Sequence, residues 1–319
     1  MTVNGDQQRA APSLPLAVAV VGPTATGKTS LAVRLAQRLG SAELINADSR
    51  QVLRGLRVGT NAPCAADLAG VPCHLLGIAD PGEPFSVADW LAAARDCLAD
   101  LGARGVRPIL VGGTGLYVRA LLDGLDLDGR APDRERRAAL NARAASPEGL
   151  AALTAELHRA DPEGAATIDL RNPRRVVRAV EIVEDRGSLA ARGRNCGLVT
   201  GPRIGLDAPS PLHRRWVLER AEAMFAGGLL EETADALARG VTAAALEGSG
   251  IGYYEALEVL GDRMSKTEAT AEIARRTLRY ARAQRTWFRA DHAVEWLRRD
   301  DDADLDAVTE RALALAAGA

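Results

Sequence analysis

Leu16-Ala17-Val18-Ala19-Val20-Val21 runs into Gly22-Pro23-Thr24-Ala25-Thr26-Gly27-Lys28-Thr29, and Ser30 to Leu39 follows with helical spacing. An apolar run, a complete G-x-x-x-x-G-K-T and a helix start are the context of a phosphate-binding loop between a strand and a helix. Glycines at both ends let backbone N–H groups turn inward around phosphate oxygens, and the helix N-terminus adds partial positive charge. Lys28 supplies a compact cation in a chain whose 40 basic residues are otherwise almost all arginine. The Thr29 hydroxyl is the kind of ligand that holds Mg²⁺. Gly22, Thr24, Thr26, Gly27, Lys28 and Thr29 are therefore expected to grip a di- or triphosphate.

Working outward, short apolar runs alternate with helical stretches through the first third, which predicts a parallel sheet wound with helices. Strands are expected at Leu16 to Val21, Ala42 to Asn46 and Pro108 to Val111, with a returning strand at Arg203 to Asp207. The phosphate loop, Asp48-Ser49 and Gly112-Gly113-Thr114-Gly115 emerge at the carboxyl ends of the first three, where open parallel sheets bind ligands. Residues 123–199 change to short, charged, alanine-rich helical patterns and read as a helical insertion. The expected division is a loose leader over 1–13, a catalytic core from 14–122 and 200–298, the insertion at 123–199, and a C-terminal helix or tail at 299–319. From Pro211 onward the pattern reads as helical, ending in a long stretch from Lys266 to Arg289.

A net charge of −2 means that no global field draws the chain to nucleic acid, so any such binding needs local basic patches. Cys64, Cys73, Cys97 and Cys196 form no C-x-x-C pair, and no apolar run is long enough to span a bilayer. Free thiols, a cytoplasmic location and a monomer are the expectation.

Three further features bear on chemistry. Asp48 would either hold Mg²⁺ through water, as in phosphoryl transfer, or act as a general base, and an Asp-Ser pair after a strand also makes a helix cap. Gly112 to Tyr117 is a second glycine-rich turn, weak alone; beside the first loop it offers a helix N-terminus and the Thr114 hydroxyl to the same anion. From Arg275 to Arg289 the chain holds six arginines and no acid. At 100° per residue Arg275, Arg279, Arg282, Arg285 and Arg289 share an arc, with Tyr280, Trp287 and Phe288 opposite. An acid-free stripe repels itself until an anion arrives, which favours a phosphate backbone or a substrate diphosphate. Arg171, Arg174, Arg175 and Arg178 form a smaller cluster that nearby acids could neutralise.

These residues resemble the tRNA dimethylallyltransferases, also called tRNA isopentenyltransferases, from about Ala17 to Leu297. The resemblance is carried by Gly22 to Thr29, Ala47 to Val52, Val58-Gly59-Thr60, Asp80-Pro81, Phe85 to Asp89, Val111 to Leu121, Arg175 to Ile182, Ile251-Gly252-Tyr253 and Thr286 to Arg289. It implies a phosphate-loop α/β fold and transfer of a dimethylallyl group from dimethylallyl diphosphate, with Mg²⁺, to the N6 amine of an adenine 3′ of a tRNA anticodon. It further implies that Asp48 takes the amine proton, that Lys28, Thr29, Thr114 and Arg215 hold the diphosphate, and that Ser49 and Gln51 line the adenine pocket. Arg175, Arg279 and Arg282 would meet the RNA. Several positions depart from the family pattern: Leu53, Ala62, Cys73, Asp169, Asn172, Leu278 and Ala283. None is the expected base or lies in the phosphate loop, and they leave a smaller adenine-containing acceptor open. A small-molecule kinase is the competing reaction class, although no short arginine-bearing lid is evident.

Overall fold

The computed structural model describes residues 14–15, 18–124, 134–191 and 197–317. The leader at 1–13 and Cys196 lie outside the described residues. The chain divides into two compact units, Met1–Asp123 with Gly197–Ala319, and Gly124–Cys196.

The larger unit is built on a six-stranded sheet: β1 (Val18–Val21), β2 (Ala42–Asn46), β3 (Cys73–His74), β4 (Arg107–Val111), β5 (Arg203–Asp207) and β6 (Val294–Arg298). The strand order is β3-β2-β4-β1-β5-β6 and every pairing is parallel. β1 is central and all four of its residues are buried, as a continuous apolar run requires of a strand covered on both faces. Its order reverses on either side, toward β4 and toward β5. The phosphate loop leaves the sheet at that switch point, where open sheets form their ligand crevice.

The four expected strands are present. β3 and β6 are additions, and β6 corrects the reading of the region after Pro211 as helical. Val294-Glu295-Trp296-Leu297-Arg298 is an edge strand with only Val294 and Leu297 buried, and β3 is two residues long. Neither is long or regular enough to impose a period-2 signal.

Helices α1 (Lys28–Leu39), α2 (Val87–Ala103) and α3 (Gly115–Arg119) accompany the first four strands. Leu31, Leu35 and Ala36 of α1 pack on Val18, Val20, Leu44 and Ile109. In the smaller unit, α4 (Arg134–Ala144), α5 (Pro147–Ala160) and α6 (Pro173–Arg186) enclose Leu140, Leu153, Leu157, Val176 and Val180. No strand occurs among its described residues. Asn172, one of the family departures, caps α6 by accepting from the backbone N–H of Arg174 and Arg175. A carboxamide oxygen does this as well as a carboxylate does.

Helices α7 (Ser210–Ala226), α8 (Leu229–Ala238), α9 (Tyr253–Leu260) and α10 (Lys266–Arg289) form a second packed layer around Val217, Met224, Tyr253 and Ile273. The tail is part of the core: α11 (Leu305–Ala317) buries Leu305, Val308 and Ala312 against α1. Arg34–Asp306 and Arg38–Glu310 ion pairs flank that contact.

Candidate active site

The phosphate loop folds because two glycines do what no other residue could. Gly22 has φ 125°, and a Cβ there would meet the Leu206 carbonyl oxygen at 2.5 Å. Gly27, at φ 90°, is the residue from which α1 starts. Inside the loop the Thr26 hydroxyl donates to the Pro23 carbonyl at 2.9 Å, and Lys28 Nζ donates to the same oxygen at 2.7 Å. Thr26 is fully buried, so its hydroxyl shapes the loop and does not line the cavity.

The loop opens onto a cavity of about 310 Å³ whose walls include Lys28, Thr29, Asp48, Gln51, Arg220 and Tyr280. Burial pulls the Lys28 ammonium down to about 8; the Asp48 carboxylate works against that shift and the Arg220 guanidinium adds to it. Burial also lowers Arg220, again opposed by Asp48. Two desolvated cations facing one carboxylate form a site whose positive charge is under-compensated until an anion enters.

Arg220, not the expected Arg215, is the arginine of this helix that lines the cavity beside the phosphate loop. Arg215 is half exposed, paired with Asp302 and Glu219, while Arg220 donates to Thr24 Oγ1 at 2.6 Å. The signal lies in the sequence: His213, Val217, Ala221 and Met224 mark the buried face of α7. At 100° per residue Arg220 falls on that face, and Arg215 stands about 140° round from Arg220.

Thr24 is held from three directions. Its N–H donates to Gln284 Oε1 at 2.8 Å, its carbonyl accepts from His213 Nε2 at 2.8 Å, and its hydroxyl takes Arg220. The carbonyl requires the proton on Nε2. Nδ1 then accepts from Arg285 at 3.4 Å, and burial lowers the His213 pKa, consistent with a neutral ring. The other end of the buried Gln284 carboxamide donates to the Gly113 carbonyl at 2.9 Å, fastening the two glycine-rich turns together. Sequence reasoning misses Gln284 and His213, since neither residue type at those positions carries a motif.

Asp48 follows β2 in a turn and not at a helix N-terminus. Asn46, 2% exposed, accepts from the Asp48 N–H and donates to the Asp48 carbonyl, which fixes the backbone. Asp48 Oδ1 accepts from the Arg50 N–H at 2.9 Å, an Asx turn that aims the carboxylate into the cavity. Gln51 lines the cavity and donates to the Asn61 carbonyl.

The second glycine-rich turn borders the same cavity through Gly112 and also holds the Asp48 turn. Its Thr114 hydroxyl accepts from the Ser49 N–H at 2.8 Å and donates to Ser49 Oγ at 3.1 Å, and the Thr114 N–H donates to the Ala47 carbonyl at 3.1 Å. Thr114 and Ser49 thus clip the Asp48 turn to the end of β4, and the Thr114 hydroxyl also meets the phenol of Tyr280 on the cavity wall. A Cβ at Gly112 would strike the Ala47 backbone, and one at Gly113 would strike the Gln284 amide. Glycine is there for close approach.

The arginine stripe is also rearranged. Arg275 pairs with Glu272, Arg276 with the fully buried Glu255, and Arg285 and Arg289 with Asp207, so it is not free of acids in three dimensions. The acids come from other elements or from just upstream. The side chains of Arg279 and Arg282 make no hydrogen bond or ion pair among the described residues, yet neither lines the cavity. Arg276, Thr277 and Tyr280 do, and the Tyr280 phenol is pushed up to about 12 by burial and by the Asp48 charge. Tyr280 and Trp287 are 37% and 41% exposed, so the aromatic face is not wholly packed on the protein. In the smaller unit Arg178 pairs with Glu181 and Arg171 with Asp169, leaving Arg175 exposed on α6.

Among the described residues no cluster of three or more His, Cys, Asp or Glu could hold a metal ion by itself. The hard-oxygen donors present, the Thr29 hydroxyl and the Asp48 carboxylate, suit a Mg²⁺ ion that brings phosphate oxygens and water with it.

The family model described as IPP transferase matches residues 51–291, and a second, Isopentenyl transferase, matches residues 16–76. The chain belongs to the IPP transferase family. Curated relatives in that family include the tRNA dimethylallyltransferase of Bifidobacterium longum, 41% identical over 88% of this chain and 85% of the relative. The enzyme of the same name from Anaeromyxobacter dehalogenans is 45% identical over 88% and 94%. Among solved family structures, the full-length tRNA isopentenylpyrophosphate transferase of Bacillus halodurans superposes with a TM-score of 0.68 at 37% identity, covering 94% of this chain and 95% of that one.

Proposed function

We propose that the chain transfers a dimethylallyl group from dimethylallyl diphosphate to the N6 amine of the adenine 3′ of a tRNA anticodon, releasing diphosphate. Membership of the IPP transferase family supports this, as do relatives named for that reaction. The observation that carries it is the meeting of Asp48 with Lys28 and Arg220 in one cavity.

As the allylic C–O bond breaks, negative charge gathers on the leaving diphosphate. Lys28, Arg220 and the loop N–H groups are already in place to receive it, which lowers the barrier without reorganisation. The N6 lone pair forms the new N–C bond, and the proton displaced from nitrogen passes to the Asp48 carboxylate. Mg²⁺, held by Thr29 and, through water, by Asp48, would supply further neutralisation of the diphosphate. Thr114, Ser49 and Asn46 hold Asp48 still, and Gln51 and Tyr280 wall the space that receives the base. An adenine in stacked RNA must be turned out to reach such a cavity. The helical unit within 123–199 is assigned to holding the RNA, with Arg175 among its contacts.

One chain contains every residue this reading uses, so a monomer is the working unit. Cys64, Cys73 and Cys97 are free thiols, in keeping with a cytoplasmic enzyme. No helix among the described residues is long and apolar enough to cross a membrane. Incubation with dimethylallyl diphosphate, Mg²⁺ and unmodified tRNA should give N6-prenylated adenosine by mass spectrometry of the digested RNA. Product on free adenine nucleotides alone would move the acceptor to a small molecule.

A further inference from the structure

Helix α10 works on two sides. Its cavity side carries Arg276, Tyr280 and Gln284. At 100° per residue Arg282, Arg285 and Arg289 stand roughly 140° to 200° away from Tyr280. There they border an open groove of about 540 Å³ whose opposite wall is α7, with Arg214. The groove has no acid in its lining; Asp207 takes only Arg285 and Arg289. Arg214 and Arg282 are exposed, and their side chains make no hydrogen bond or ion pair among the described residues. Four guanidiniums over one carboxylate repel each other until an anion enters. From Arg282 to Arg289 the helix advances about 10 Å, too far for a single phosphate and suited to successive phosphates of one strand. Leu278 and Thr286 form the rest of its α10 wall, which offers guanidinium contacts and no enclosed slot for a base.

We infer that this groove holds the phosphodiester backbone of the acceptor RNA at a point remote from the adenine being modified. The inference rests on the tRNA reading above and adds a second anchoring surface to it. Such contacts position without reading sequence, and each adds to affinity in a salt-dependent way.

The test is fluorescence anisotropy of a labelled anticodon stem-loop RNA between 50 and 300 mM salt, with wild type and R214Q/R282Q. Both side chains are exposed and unpaired, so the double variant should melt like wild type. Losing two phosphate contacts should make the slope of log affinity against log salt shallower by about 1.4 to 1.8. Affinity at low salt should fall about tenfold or more, with dimethylallyl diphosphate binding unchanged. If wild type binds the stem-loop and the double variant keeps both affinity and slope, the groove is not an RNA surface. If wild type ignores the stem-loop and prenylates free nucleotides, the tRNA reading itself fails and takes the groove with it.

Discussion

Exchanging Arg220 for glutamine should cripple transfer, whereas the same change at Arg215 should not. The two arginines lie five residues apart on one helix, and only their placement distinguishes them. Arg215 is half exposed and paired with the still more exposed Asp302. An ion pair of that kind contributes less than about 1 kcal/mol. Arg220 is desolvated, donates to Thr24 of the phosphate loop and faces the cavity. Removing one preorganised donor from a developing oxyanion costs about 2.7–4 kcal/mol, a 100- to 1,000-fold loss of kcat. Stability should move the other way or not at all. Burial disfavours the charged guanidinium in the free protein, so a neutral amide removes an unfavourable term while losing one hydrogen bond of about 1 kcal/mol. Steady-state transfer to tRNA, with thermal melts of both variants, separates these effects. Equal losses of kcat in R215Q and R220Q, or a melt of R220Q several degrees below wild type, would refute the assignment of the diphosphate site to Arg220.

Lys28 gives a pH signature. With its folded value near 8 against an ordinary 10.5, the folded protein binds fewer protons than the unfolded chain between those values, so unliganded stability gains from this residue as pH rises through that window. Donor binding needs the charged form, so kcat/KM for dimethylallyl diphosphate should decline above about pH 8, and K28R should shift that decline upward. Gln284→Leu leaves the Thr24 N–H and the Gly113 carbonyl without partners in a buried place, which should cost about 2–4 kcal/mol in denaturant unfolding and weaken donor binding. Asn172→Ala should remove the cap of α6 and destabilise the helical unit by about 1 kcal/mol, seen as faster amide exchange in α6, with donor affinity unaltered.

Much of the fold is legible from residues 16–39 alone, because a buried central strand, a G-x-x-x-x-G-K-T and an amphipathic helix each impose a local pattern. The ends of α9 and α10 follow their periodicity, with Gly252 before one and Ser265 before the other. β6 escapes because an edge strand buries only two of its residues; a C-terminal helix is expected at 299–319, but its packing is not legible because its partner, α1, lies far away in sequence. Lys28, Thr29, Asp48 and Gln51 reach the cavity from sequence-local motifs. Arg220 reaches it, and Gln284 and His213 reach Thr24 of its loop, through helix packing, and a motif search does not register packing. Hence the sequence points to the helix that brings an arginine to the cavity, but to the face that carries Arg215 and not to the one that carries Arg220. The acid-free stripe misleads for a related reason: Asp207 and Glu255, which neutralise much of it, stand 82 to 21 residues upstream of their partners.

The central claim is that Asp48 is the base in a site that discards diphosphate. Asp48→Asn keeps the turn, since the amide oxygen can still accept from the Arg50 N–H, and removes the proton acceptor; measuring donor binding without Mg²⁺ keeps the water-mediated hold of Asp48 on that ion out of the comparison. Single-turnover transfer to tRNA, measured beside calorimetric binding of dimethylallyl diphosphate, should show the rate falling at least about 100-fold while donor affinity stays the same or tightens, because a negative charge beside Lys28 is gone. A variant that transfers at close to the wild-type rate, or that loses donor binding together with the rate, would contradict the account.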